Sequence, residues 1–267
     1  VIDTTRSFKN KTTEDIVRSL ITDLAINDTT RKIDKLKLGE IQGLGTSRTV
    51  QMTGDNLLTK IYELCKEDEL SIRVRYDFDN NEIVADVWQG LDRVDTQNIN
   101  TWAIFSKNFE NVTDSTYNTD ETKYCNFAYV EGEVEDKDGN KQRKSTTIDR
   151  IKEGEERIEL YVDARDLQKD EDTTDSEYME MLKERGIEKL NENNKVEEAS
   201  FSIDPYSNLI YKTDFDLGDK VVYKNAELGF NIENRIVEIS EAYENGDRTI
   251  DITFGDSYNL KKIKEVV

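Results

Sequence analysis

Carboxylates are the reactive groups this sequence has in quantity: 58 Asp and Glu residues against 37 Lys and Arg, two cysteines and no histidine. Without histidine, these residues can form neither a Ser-His-Asp triad nor a Cys-His pair. A histidine zinc site is equally out of reach, and Cys65 and Cys125 alone are too few to hold a metal. What remains is acid–base work by paired carboxylates, the chemistry of glycoside hydrolysis. With so many carboxylates, counting singles out no pair.

Local spacing offers a few sharper candidates, each with a plainer explanation beside it. Asp77, Asp79 and Asn81 have the spacing that opens a calcium loop, but Glu82 stands where that loop needs glycine. A hairpin turn explains them better. Asp136, Asp138 and Asn140, with Gly139 among them, read as an exposed turn for the same reason. Gly43 and Gly45 flank Leu44, and no phosphate-binding glycine pattern follows. Asp163, Arg165 and Asp166 close the strand in ELYVDARDL, where a structural ion pair is expected. Cys65 falls in the apolar stripe of a helix and Cys125 lies beside Tyr124, so two reduced core thiols are expected, although the spacing also permits one disulfide. Trp88 and Trp102 lie in segments patterned as strands, where packing explains them as well as sugar stacking does. The expectation is therefore no catalytic, cofactor-binding or metal-ligating residue and no cofactor.

The elements that position these residues are read from periodicity. Ile16, Val17, Leu20, Ile21, Leu24 and Ala25 share one face of a helix over 12–26, which Thr12 or Thr13 can cap. A second helix over 55–67 follows Gly54 and buries Leu57, Leu58, Ile61, Tyr62 and Cys65. Then the period falls to two. Ile72, Val74, Tyr76 and Phe78 alternate with charges, turn residues follow, and Ile83, Ala85 and Val87 resume the pattern as a β-hairpin. Residues 131–144 read as a long exposed hairpin, 168–176 as a flexible acidic loop, and 175–192 as a third helix weakened by Gly186. From 199 to 257 the pattern is short strands punctuated by Gly218, Gly229, Gly246 and Gly255. The fold class is α+β: a small α+β unit over 1–92, a β and loop segment over 93–198 with the helix near 175–192, and a β-barrel-like module over 199–267.

Composition bounds the partners. A net charge of −21 and a sequence pI near 4.5 repel phosphate, so neither sequence-specific nucleic-acid binding nor attachment to anionic lipid is expected. No run of about 20 apolar residues exists to span a membrane as a helix. The start at Val1 suggests a chain trimmed at its N-terminus.

Three blocks, in this order, resemble one family. They are QMTGDNLLTKIYELCKEDELSIRVRYDFDNNEIVADVWQGLDR at 51–93, RIELYVDARDL at 157–167 followed by a helix ending in KLNENN, and DFDLGDKVVYKNAELGFNIENRIVEISEAYENGDRTIDITFGDS at 214–257. The sequence is similar to tail proteins of siphoviruses and Gram-positive prophages, of the tail-tip or baseplate hub kind found in the N-terminal part of tail-associated lysins. The resemblance spans residues 12 to 257. It implies a homotrimer built of tube-like β domains and α+β insertions. It also implies a structural rather than enzymatic role: closing the tail tube and connecting it to host-attachment or lysin parts. The implied partners are the distal tail protein, the tape measure, and a fibre or lysin. The implied location is the virion tail, after assembly in the host cytoplasm. The family carries a strand-rich segment ahead of the helix at 12–26, which fits a trimmed start. Two other readings stand beside it: a carboxylate-dependent cell-wall hydrolase, and a carbohydrate- or receptor-binding module.

Overall fold

The computed structural model describes residues 1–135, 140–170, 172–226 and 229–255. In chain order the strands are β1 Arg6–Thr12, β2 Leu36–Leu38, β3 Ser47–Met52, β4 Ser71–Asp77, β5 Glu82–Trp88, β6 Ile104–Ser106, β7 Val112–Asp120, β8 Phe127–Glu135, β9 Lys141–Asp149, β10 Glu159–Asp163, β11 Val196–Ile203, β12 Lys220–Asn225, β13 Phe230–Glu244 and β14 Asp247–Gly255. The helices are α1 Thr13–Ile21, α2 Leu57–Glu67 and α3 Asp175–Glu192. This is the α+β class expected from periodicity. The chain divides into two units, each made of two stretches: Val1–Trp88 with Thr122–Asn194, and Gln89–Glu121 with Lys195–Val267.

In the first unit, local chemistry starts the helices where the sequence says. The Thr12 hydroxyl accepts from Asp15 N at 3.2 Å, and Glu14 and Asp15 sit at the positive end of α1. Asn56 caps α2 by accepting from Leu58 N and Thr59 N. After Ile21, α1 widens into a π-helical turn, Thr22–Ile26, which the apolar period does not announce. Ile16, Val17 and Leu20 of α1 meet Ile61, Leu64 and Cys65 of α2 and Ala85 and Val87 of β5 in one core. Both helices therefore pack with the β4–β5 hairpin, as its alternation implies. Each fully buried aliphatic side chain there contributes about 1.5–3 kcal/mol of transfer free energy. β2 adds to β5 in parallel, and β4 pairs with it antiparallel.

A second core lies within the same unit. β10 runs parallel to β8, and β9 pairs antiparallel on its other side. Ala128, Val130, Val162, Tyr178, Leu182 and Leu190 fill the space between this sheet and α3. Gly186 looks like a flaw in α3 from sequence, and the packing explains it. A Cβ there would come within 2.7 Å of both Ile148 Cγ1 and Val130 Cγ2, so the helix lies too close to the sheet for a side chain. The segment expected as a loose acidic loop is tied down instead: Gln168 N donates to Gln51 Oε1 at 2.8 Å, Thr173 is buried, and Thr174 forms a capping box with Glu177. Asp136, Asp138 and Gly139 of the expected turn lie outside the described residues.

The second unit is one curled six-stranded sheet in the order β6-β12-β13-β14-β11-β7. β6 and β12 are parallel, and the remaining pairs are antiparallel. Phe105, Phe201, Phe215 and Tyr223 cluster at its core, with Phe201 and Tyr223 stacked at 5.1 Å and Phe105 edge-on to Phe215 at 5.2 Å. Asn245 and Gly246, with φ of 53° and 91°, make the tight turn between β13 and β14.

The three-part linear division expected from local patterning does not coincide with these units. Residues 93–121 contribute β6 and β7 to the sheet formed by 196–255, and 122–194 belong with 1–88. Pairings such as Tyr117 with Ala199, far apart in the sequence, set the real boundaries, and local patterning carries no trace of them.

Candidate functional site

Ionised groups are concentrated where α3 meets β3 and α2. Arg48 projects from β3 and is almost fully buried. Its guanidinium contacts the Glu67 carboxylate, Asp68 at 3.0 Å and, across from α3, Glu184 at 3.7 Å. One turn away, Lys60 of α2 pairs with Glu188 of α3 at 2.8 Å and with Glu63 at 3.3 Å. Arg185 turns back to Asp166 at 2.9 Å. Asp68 is held further by the hydroxyl of Thr13 at 2.5 Å and by the N–H and hydroxyl of Thr46 at 3.0 and 2.7 Å. The groups enclose a cavity of about 20 Å³, room for one water, and Arg48 Nε is buried there without a hydrogen-bond partner.

Burial and pairing pull these groups in opposite directions. Burial pushes the Glu67 and Glu184 carboxyls above the usual range, and Arg48 only partly offsets it. Burial likewise raises Glu63 against the pull of Lys60. Burial also opposes the charge of Lys60, yet Glu188 and Glu63 hold its ammonium above its ordinary value. Asp68 ends below the usual carboxylate value, because its hydrogen bonds and Arg48 outweigh burial. The nearby Cys65 thiol is pushed up to about 12, first by burial and then by Asp68, so it stays protonated and unreactive near neutral pH. The lining holds carboxylates, cations and aliphatic side chains. Chemically the arrangement fixes charges in place and joins elements.

The candidates read from spacing scatter over the molecule. Asp77 accepts from the N–H groups of Asp79 and Asn80 and from the Asn80 amide at 2.9–3.1 Å, which makes it the cap of the β4–β5 turn. Lys35 Nζ donates to Asn81 Oδ1 at 2.7 Å, so a cation already sits where calcium was considered. Arg165 pairs with Asp163 and holds its carboxyl down to about 2, while Asp166 serves Arg185. The loop of Gly43 and Gly45 is held by the buried carboxylate of Glu14, which accepts from Gln42 N and Leu44 N. Cys65 and Cys125 are both free thiols. Trp88 ends β5 with Arg73 5.4 Å above its ring. Trp102 was expected in a strand but lies in the loop ahead of β6, half exposed, where its Nε1 donates to Gln97 O at 2.7 Å. Among the described residues, no group of three or more His, Cys, Asp or Glu side chains is arranged to hold a metal ion.

Sequence reading missed the ionic seam itself. Part of its signal is visible: Glu177, Glu184 and Glu188 recur at spacings of seven and four, which puts them on one face of α3. Their partners Lys9, Arg48 and Lys60 come from three separate elements, which only the fold brings together.

The family model of the siphovirus ReqiPepy6 Gp37-like proteins matches residues 3–256. The chain belongs to this family of siphovirus tail proteins. The Gp37-like chain resembles the 43 kDa tail protein of prophage MuSo2 from Shewanella oneidensis in fold, at 11% identity and a TM-score of 0.50, over 93% of this chain and 66% of that one. A tail protein from Neisseria meningitidis MC58 gives 8% identity and a TM-score of 0.49, over 94% and 68%. The prophage tail protein gp18 of Listeria monocytogenes EGD-e gives 17% and 0.47, over 99% and 70%. The Gp37-like chain thus spans about two thirds of the length of these proteins. No curated protein sequence matches it. Family membership gives it a structural place in a phage or prophage tail.

Proposed function

We propose that this Gp37-like chain is part of the tail-tip or baseplate hub, where it closes the tail tube and joins it to host-attachment or lysin parts. The observation that carries this reading is the six-stranded sheet, which curls without closing and ends at one side on the nine-residue edge strand β7. The short β6 at the other side is capped by Asn111, which accepts from Ser106 N and donates to Ile104 O. An open edge offers unpaired backbone groups to another chain. A closed cyclic arrangement that covers the β7 edge of each copy with a neighbouring copy produces a ring, the section of a tube. The protein is a homotrimer in this reading. Its partners are the distal tail protein, the tape measure, and a fibre or lysin. It assembles in the host cytoplasm and resides in the virion tail. Its role is structural, without catalysis and without a cofactor or metal.

Light scattering on the protein, alone and with the distal tail protein, tests the ring. The expected mass is that of a trimer, and association strengthens from low salt to about 0.5 M as repulsion between strongly negative copies is screened. A monomer under every condition contradicts the hub reading. Cell-wall zymography tests the structural role: a cleared zone that is lost on substituting one carboxylate pair would make the chain a hydrolase instead.

A further inference from the structure

We propose that residues 122–194 form a latched arm, held against the N-terminal part of their unit by a one-way ionic seam and released from it as a folded body when the seam's charges are screened. This inference does not depend on where in the tail the protein sits.

The arm has its own core. Ala128, Val130, Val162, Tyr178, Leu182 and Leu190 pack among themselves, while the helices α1 and α2 belong to a different cluster with the β4–β5 hairpin. Chain entry and exit are adjacent, with Cys125 N donating to Asn193 O at 2.9 Å, so the arm is tethered at one point. α3 divides its faces by chemistry. Tyr178, Leu182, Gly186 and Leu190 face the arm's sheet, while Glu177, Glu184 and Glu188 face the rest of the unit.

The seam on that second face is ionic and polarised. The three ion pairs that cross it run one way, carboxylate on α3 and cation opposite: Glu177 with Lys9 of β1 at 3.5 Å, Glu184 with Arg48 of β3 at 3.7 Å, and Glu188 with Lys60 of α2 at 2.8 Å. Arg185 of α3 pairs on its own side with Asp166, while Glu63 and Glu67 of α2 pair on theirs with Lys60 and Arg48. Polar bonds supplement them. Lys9 Nζ donates to Asp172 O at 2.7 Å, Gln51 Nε2 to Gln168 O at 3.2 Å, and Gln168 N to Gln51 Oε1 at 2.8 Å. The cavity within the seam has Val50, Leu64, Leu167 and Met181 as its apolar lining. The closed, buried pairs are little screened themselves, but salt stabilises the charges that release exposes to counterions, so rising salt favours the released state, which it would not do for an apolar interface. Stripping ionised groups of water also offsets much of what their pairing gains, so such a seam holds parts in register without fusing them.

The test uses the full chain with two spin labels, at Leu58→Cys on α2 and Tyr161→Cys on β10, both exposed positions. Cys125 is replaced by serine, and Cys65 is buried and stays unlabelled. Pulsed dipolar spectroscopy is expected to give one distance in about 0.05 M NaCl and a second, longer one whose population grows about fivefold by about 1 M. Glu184→Gln with Glu188→Gln is expected to bring out the longer distance already at low salt. Lys60→Glu is expected to do the same, and adding Glu188→Lys to restore the short distance. Throughout, amides of β8 and β9 remain protected from hydrogen exchange. A distance unchanged by salt in the otherwise unsubstituted labelled chain overturns the proposal, whatever the variants do. Loss of β8 and β9 protection along with the distance change also overturns it, because the arm would then unfold rather than release.

Discussion

At the scale of single residues, two positions show how competing effects are decided. At Gly186, alanine would favour the helix by about 1 kcal/mol. The same methyl would press on Ile148 and Val130 at 2.7 Å, and overpacking of that kind costs about 1–3 kcal/mol. Neither neighbour is the far end of a flexible chain, so the steric effect wins. Net of that gain, Gly186→Ala is expected to lower stability by up to about 2 kcal/mol in urea denaturation. Asp68 is the second case. Its carboxyl sits below its usual value in the folded chain, so its ionised form stabilises the fold. That contribution is fully present above the unfolded value of about 3.9 and is lost as pH falls through the depressed folded value. Asp68→Asn is expected to cost about 2 kcal/mol at pH 7, from hydrogen bonds to a charged group, and the gap to the parent chain should close towards pH 2. Urea midpoints at both pH values check this. A gap that persists unchanged in acid would mean that Asp68 acts through shape and not charge.

At the scale of elements, the six-stranded sheet makes the strongest demand. Its core takes Ala103 and Phe105 from β6 and its approach, and Val112 from β7, along with Phe201, Val221, Ile236 and Ile252. Residues 195–267 alone are therefore expected to show no cooperative thermal transition by circular dichroism, and joining them to 89–121 should restore one. A cooperative melt of 195–267 alone would contradict the pairing. The same sheet shows where sequence reading stops. α1, α2, α3 and the β4–β5 hairpin follow from apolar spacing, because each buries one face against a layer and the spacing reports that face. The strands from β11 to β14 were legible for the same reason. Partner choice was not: β7 against β11, and the parallel pairs β10–β8 and β12–β6, join segments that share no local signal. Trp102 misled because an apolar residue in a short loop looks like the start of a strand until its indole is seen bonded to Gln97 O. The ionic seam was half legible. The acidic stripe Glu177, Glu184 and Glu188 is periodic, but its cations follow from tertiary placement alone.

At the scale of the whole molecule, charge and the open β7 edge set the terms of the proposed assembly. A chain at −21 repels its copies, so any ring must rely on strand pairing and apolar contact to overcome a repulsion that reaches about 8–10 Å at physiological salt. The same charge suits a tube wall that DNA passes without sticking. Salt should then act in two directions, strengthening association between copies while loosening the arm within each. Electron microscopy of intact virions labelled with gold-conjugated antibodies against this chain tests the hub assignment most directly. The result expected is label confined to the end of the tail distal to the capsid. Label at the capsid, or spread along the length of the tube, would contradict it.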